Sequence, residues 1–210
     1  TRPQKRLPMD PDTRPLSRFA VVVLFGLTIF VSAFLLFQVQ PMVSKAIVPW
    51  FGGGPAVRTA AMLFFQCVLF GGYVYAHLLA SIGSARREAL LHLALLAVAA
   101  VFARWVVPDA SLRPEGDAAP VAQIVWILAV SVGLPYFCLA STGPLLQHWF
   151  ARGGAGGSVY RLYSLSNVGS LLALLSFPYL FEPWFELHAI GSGWTWGFWV
   201  FAACCGAVMN

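Results

Sequence analysis

The stretch that decides the fold covers residues 38–77, QVQPMVSKAIVPWFGGGPAVRTAAMLFFQCVLFGGYVYAH. It connects two apolar runs through a segment that contains prolines, three consecutive glycines and a lysine. In its second half Thr59, Gln66, Tyr73 and His77 fall within about 40° of one another on a helical wheel. Polar side chains on an otherwise apolar helix are costly in hydrocarbon unless they face protein or a water-filled cavity. We therefore predict that this row is a functional or packing surface inside a membrane.

The composition of the whole chain supports a membrane environment. Apolar residues make up 59% and charged residues 10% of the 210 residues, against about 45–50% and 25% in soluble domains. The mean hydropathy is +0.76. The net charge of +5 does not indicate nucleic-acid binding, because the basic residues lie at the ends of apolar runs and not in one patch. The lipid bilayer is the first expected partner, and no nucleic acid is expected.

The apolar runs predict an all-α integral membrane protein with six transmembrane helices. A basic tail at 1–18 precedes a bundle over 19–210, with spans at about 19–40, 56–80, 88–107, 120–150, 159–181 and 193–210. Between the first two spans, 38–55 is expected to be irregular, with at most a short helix around 42–47. The fourth run exceeds the hydrocarbon thickness, and Pro135 and Pro144 within it predict a kink or a break.

The distribution of basic residues predicts the orientation. With a cytoplasmic N-terminus, one side of the membrane carries nine of the 13 Lys and Arg residues, namely five in the tail together with Arg86, Arg87, Arg152 and Arg161. Positive charge marks the cytoplasmic side. We therefore predict a protein of the bacterial cytoplasmic (inner) membrane with both termini in the cytoplasm.

The fifth span carries a second polar row. Tyr163, Asn167 and Ser170 fall within about 60° of one another, with Tyr160 nearby. This row and the row of Gln66, Tyr73 and His77 permit two interpretations. They could line a substrate cavity, or they could form hydrogen bonds between helices, each contributing about 0.6 to 2 kcal/mol.

Charged residues and histidines near the span ends are further candidates. Lys45 and Glu182 are predicted at the same outer face, as a gate or as ordinary interfacial residues. His77, His92 and His148 are predicted near the cytoplasmic ends of three spans. No matched pair of histidines lies at mid-membrane, so we expect no haem and no metal site, whereas bound lipid is expected.

Three segments resemble one known family. QPMVSKAIVPWFGGGPAV with MLFFQCVLFGGYVYAHLL, GLPYFCLASTGPLLQHWF, and YRLYSLSNVGSLLALLSFPYLFEP are similar to the N-terminal membrane part of bacterial fused MFS/spermidine-synthase proteins. The resemblance covers roughly residues 37–183. It implies a six-helix bundle similar to one half of a major-facilitator (MFS) transporter, followed by an aminopropyltransferase-like domain. Arg58 departs from the pattern, because the family tends to carry tryptophan there.

The function predicted for these residues is non-catalytic. No glycine-rich strand–turn–helix for decarboxylated AdoMet occurs before Asn210, and no catalytic triad or metalloprotease motif is present, so we assign no catalytic residue. We expect an accessory membrane subunit or scaffold that packs against other membrane proteins or against a second six-helix half. The alternative is the membrane domain of a polyamine-related transporter or fused aminopropyltransferase that binds a small amphipathic substrate.

Overall fold

The computed structural model describes residues 15–114, 120–152 and 159–209, and these residues form helices and no strands. The helices are α1 (Pro15–Ile47), α2 (Pro55–Ala80), α3 (Ala85–Phe102), α4 (Pro120–Leu128), α5 (Leu134–Arg152), α6 (Val159–Ser176), α7 (Glu182–Trp184) and α8 (Leu187–Met209). Most of the predicted tail, 1–14, lies outside the described residues. An all-α membrane protein is what this arrangement and the composition of the helices support.

Five of the described segments are long and apolar enough to cross a membrane: Ala20–Phe51, Pro55–Ala80, Ala85–Trp105, Pro120–Arg152 and Tyr160–Trp184. The remaining long helix, α8, has 23 residues. It starts earlier than the predicted sixth span because 187–192 are helical as well. Glycine, serine and tryptophan in its first half lower its mean hydropathy, so it does not meet the same criterion.

The first span is longer than the sequence predicts. The segment 38–47 continues α1, and only Val48–Phe51 forms a separate tight helical turn before Gly52 and Gly53, both with positive φ. Pro41 lies within α1 without ending it. Val39, Met42, Val43 and Ile47 are fully buried, so tertiary packing holds this turn of helix in place despite the missing amide of the proline.

Wide helical turns interrupt the fourth and fifth spans next to prolines. Ala129–Gly133 forms a π-helical turn just before Pro135, and Phe177–Phe181 forms another around Pro178. A π-helical turn accommodates a proline because it displaces the carbonyl that the ring would otherwise meet. Pro144 is tolerated inside α5. The fourth span is therefore one continuous helix, and its irregular turn lies at the first of its two prolines.

The packing of the six segments is related by an internal symmetry. The first span packs against the fifth (α1 with α6), and the fourth packs against the second (α5 with α2). The first also packs against the sixth (α8), and the fourth against the third (α3). If segment one is exchanged with four, two with five and three with six, the pair one–five becomes four–two, and the pair one–six becomes four–three. Because three is odd, this pattern of contacts is the one expected of two three-helix halves that run in opposite directions, an inverted repeat.

Trp194 fixes α8 against the centre of the bundle. Its indole is 2% exposed, and its Nε1–H donates to the Leu35 carbonyl oxygen over 2.9 Å. We expect Trp194→Phe to lower the free energy of unfolding by about 1 kcal/mol, because the hydrogen bond is lost while most of the packing remains. Denaturant titration in detergent micelles measures this. Trp196→Phe is the control, since Trp196 is 66% exposed. Equal effects of the two substitutions would contradict the prediction.

Candidate functional site: a polar face on the bundle

The α2 row lies on the outside of the described bundle. Thr59, Gln66 and His77 are exposed, and the Tyr73 side chain is 50% exposed. The side of α2 that faces α5 instead carries small and aromatic residues. A Cβ at Gly72 would lie 2.8 Å from the Ala140 Cβ, and the Phe65 ring lies 4.9 Å from the Tyr136 ring. The row is therefore not used to join α2 to its neighbour α5.

The α6 row also points away from the bundle. Tyr160 and Tyr163 are 81% and 59% exposed, and Asn167 is exposed as well. Ser170 is half-buried and donates its hydroxyl hydrogen to the Ser166 carbonyl oxygen of its own helix, at 2.9 Å. The contact of α6 with α1 runs through Gly169, where an added Cβ would lie 2.8 Å from the Phe30 carbonyl oxygen.

Helix geometry places the α6 row on one definite flank of the α1 contact. Arg161 and Leu165 line an apolar cleft beside α1. Relative to Gly169 they lie at about −80° and −40°, whereas Ser170 and Tyr163 lie at about +100° and +120°. The α6 row therefore faces the side of the α1–α6 pair opposite to the cleft.

A hydrogen bond between Gln40 and Tyr136 lies further along the bundle. Gln40 is ten residues, about 15 Å, beyond Phe30, the last α1 residue of the apolar cleft. The Gln40 Nε2–H donates to the Tyr136 hydroxyl oxygen over 2.9 Å, joining the first and fourth spans. Tyr136 is buried and Gln40 is half-buried, so this hydrogen bond is partly buried within the bundle.

The α2 row lies on the same side of α2 as Met62. Met62 lines a cleft with Ser44 of α1, and Tyr73 and Gln66 lie about 20° and 40° from Met62 around α2. The two rows lie on the second and fifth spans, which have matching contacts with the fourth and first. We call these two outward-facing rows together the polar face, defined by Gln66, Tyr73, His77, Tyr163, Asn167 and Ser170.

An ion pair lies at one end of the polar face. Lys45 Nζ and Glu182 Oε1 are 3.2 Å apart, with side chains 39% and 44% exposed. Both residues line a cleft of about 510 Å³ together with Ser44, Arg58 and Met62. The structure therefore brings the two predicted outer-face residues together, linking the first and fifth spans. An exposed pair of this kind contributes about 0 to 1 kcal/mol, so its geometry is of more interest than its stabilising effect.

A buried carboxylate that is not among the predicted site residues lies at the other end of the bundle. Glu88, at the start of α3, is fully buried. The Trp149 Nε1–H donates to Glu88 Oε2 over 2.7 Å, and Arg152 Nη1 lies 3.1 Å from Oε1. Arg152 Nη2 also reaches the Gly83 carbonyl oxygen, at 3.5 Å. Four residues separate Glu88 from His92, and three separate Trp149 from Arg152, so both pairs have helical spacing. That spacing is the signal by which the contact could have been suspected.

The three histidines occupy different environments. His77 is exposed, whereas His92 is buried and its Nε2 lies 2.9 Å from the Thr142 hydroxyl oxygen. His148 is half-buried, and its Nε2 is buried without a hydrogen-bond partner. Within 15–114, 120–152 and 159–209, no three His, Cys, Asp or Glu residues come together in a group suited to a metal ion. Cys67, Cys138, Cys204 and Cys205 are free thiols.

No family model, curated protein or solved structure matches this chain. The fold and the site define the class of an all-α membrane protein whose long helices carry polar rows on their outer faces.

Proposed function

We propose that this chain is a non-catalytic membrane subunit or scaffold whose polar face packs against other membrane proteins in a larger assembly. The observation that carries the proposal is the exposure of Gln66 and Asn167 on helices of membrane-spanning length. We place the subunit in the bacterial cytoplasmic membrane with both termini in the cytoplasm, on the distribution of its basic residues.

The physical argument rests on the cost of an amide in lipid. A side-chain amide without a hydrogen-bond partner in an apolar medium costs about 2 to 7 kcal/mol. Polar residues in membrane helices therefore face protein or a water-filled cavity. In the described bundle these side chains face outward, so protein outside the described helices would have to complete the interface or cavity. Hydrogen bonds across such an interface contribute about 0.6 to 2 kcal/mol each.

The contact pattern of an inverted repeat supports a likeness to one half of an MFS transporter. Each six-helix half of such a transporter is built from two inverted three-helix repeats, and substrate binds between the two halves. The polar face is formed by the second and fifth spans, which have matching contacts with the fourth and first. Such a surface suits a contact with a second membrane body. The same architecture supports the resemblance to the membrane part of fused MFS/spermidine-synthase proteins.

The Lys45–Glu182 pair favours a second candidate function, the membrane domain of a polyamine-related transporter or fused aminopropyltransferase. The pair joins the first and fifth spans at one end of the polar face, where a gate residue would lie. A cationic substrate needs carboxylates, however. Of the residues that define or border the polar face, only Glu182 is acidic, and it is already paired with Lys45. The scaffold proposal is therefore preferred.

The test is association in the native membrane. We expect the double variant Gln66→Leu with Asn167→Leu to reduce co-purification of partner proteins about tenfold, because two interfacial hydrogen bonds are lost. The variant bundle should insert and melt like the wild type, since neither side chain is buried in it. The matched control is Leu78→Ala with Leu172→Ala, two exposed positions on the same helices outside the polar face.

The outcomes separate the two candidate functions. Undiminished association of the double variant, or an equal loss in the control, would refute the scaffold proposal. Uptake of a small cation by the wild type that disappears in Gln66→Ala and Asn167→Ala, at normal membrane levels, would instead support the transporter. Quantitative mass spectrometry of detergent-extracted complexes measures association with partner proteins, and a vesicle assay measures uptake of the cation.

A further inference from the structure

A second surface of the bundle has different chemistry from the polar face. Between the first halves of α1 and α6 lies an open cleft of about 360 Å³, lined by Val22, Val23, Gly26, Leu27, Phe30, Arg161, Leu162 and Leu165. The lining is entirely apolar, so Arg161 contributes its aliphatic stem and not its guanidinium. Gly26 is buried at the floor, where an added Cβ would lie 3.1 Å from Leu165 Cδ2.

The length of the cleft matches one leaflet of a bilayer. From Val22 to Phe30 the helix rises by about 12 Å, and half of the hydrocarbon core is about 15 Å thick. The cleft begins close to the start of the first and fifth spans, Ala20 and Tyr160, and ends about a third of the way along the first. Its size, shape and apolar lining suit an extended acyl chain and do not suit water.

Arg161 supplies a charge at the headgroup end. Its side chain is exposed and forms no ion pair within the described part of the chain. An arginine at the end of a membrane helix extends its stem along apolar surface and presents its charge at the interface. Guanidinium groups bind phosphate in a bidentate manner. Basic sites between transmembrane helices on the cytoplasmic side bind anionic lipid headgroups.

We propose that this cleft is a binding site for an anionic phospholipid, with one acyl chain against Gly26 and Leu27 and the phosphate on Arg161. The orientation predicted from the basic residues puts the site in the cytoplasmic leaflet, where anionic lipids are concentrated. The site is separate from the polar face, so it stands whether or not the proposed function is correct.

Native mass spectrometry of the full chain in mild detergent tests the proposal, with phosphatidylglycerol and phosphatidylcholine of identical acyl chains as probes. We expect the wild type to bind phosphatidylglycerol about fivefold more tightly, the effect of one basic residue near the surface. Arg161→Gln should abolish this preference, whereas Arg161→Lys should keep most of it. Val23→Trp should weaken both lipids, because the ring fills the cleft at a position that is 49% exposed and outside the core.

Arg87→Gln is the matched control, because Arg87 is an exposed basic residue near the same predicted membrane surface. It should leave binding of both lipids unchanged. Equal binding of the two lipids by the wild type, a preference that survives Arg161→Gln, or unaltered binding in Val23→Trp would each overturn the proposal. So would an equal loss of preference in Arg87→Gln, since net charge alone would then explain the effect. Unchanged circular dichroism and gel filtration establish that each variant is folded.

Discussion

Arg152→Met is expected to lower the free energy of unfolding by about 3 kcal/mol, the lower end of the range for breaking a buried ion pair. Glu88 has no exposed surface, and Arg152 Nη1 lies 3.1 Å and 3.3 Å from its two oxygens. Without the guanidinium, the Trp149 indole N–H would be the one remaining side-chain donor to this carboxylate among the described residues. The lower end of the range applies because the Arg152 side chain is 41% exposed and the site is close to solvent.

Substitution of the other partner, Glu88, should lower the free energy of unfolding by less. Glu88→Gln removes the buried charge and leaves Arg152 in contact with water, so we expect a loss of about 1 to 2 kcal/mol from the weakened hydrogen bonds. Adding Glu88→Gln to Arg152→Met should therefore recover part of the stability, a coupling that a double-mutant cycle measures. Arg87→Met, at an exposed position one residue before Glu88, is the control. If Arg152→Met lowers the free energy of unfolding no more than Arg87→Met does, the contact of Arg152 with Glu88 does not stabilise the bundle.

The sequence indicated the spans well because hydrophobic length is a local property. The differences occur at prolines and at helix ends. The sequence predicts an irregular connection around Pro41, yet α1 continues to Ile47, where Met42, Val43 and Ile47 are buried. The contribution of the packing around these residues to the local conformation is not encoded within the segment itself.

The two polar rows could be found from helical register, but their direction could not. Register states which residues share a face, and it does not state which neighbour that face meets. The structure places Gln66 and Asn167 outside the bundle, whereas the interior sides of their helices carry Gly72 and Gly169. Hydrogen bonds between the helices of this bundle are therefore not the role of Gln66 and Asn167. A cavity or an interface with other protein remains as the interpretation of the two rows.

Contacts between distant segments were beyond single-sequence reasoning. From the sequence alone, Glu88 lies beside Arg86 and Arg87 in a polar segment, and Trp149 lies near a span end, where tryptophan is typical of the membrane interface. Their hydrogen bond joins residues 61 positions apart and depends on α3 and α5 being neighbours. The contact pattern of an inverted repeat, in which those helices are neighbours in the same way that α1 and α8 are, is likewise visible only in the packing.

Glycines at the two equivalent helix contacts give the second large effect. We expect Gly169→Val and Gly72→Val each to lower the free energy of unfolding by about 3 kcal/mol, the upper end of the cost of overpacking. The new Cβ would lie 2.8 Å from the Phe30 carbonyl oxygen at Gly169, and 3.2 Å from the Ser141 backbone nitrogen at Gly72. Backbone atoms cannot rotate away, so α6 must move from α1, and α2 from α5.

Gly193→Val is the matched control, because Gly193 is exposed within helix α8 and an added Cβ would meet nothing within 4 Å. Its effect should be within about 0.5 kcal/mol of zero, as for substitutions that touch no packed contact. Denaturant titration of the three variants in one detergent measures all the effects. A shift of α2 or α6 also displaces the polar row that this helix carries. Both destabilised variants should therefore bind partner proteins more weakly as well as being less stable. Normal stability of either variant would show that the helices do not pack this closely. The positions assigned to the polar-face residues on α2 and α6 would then be wrong.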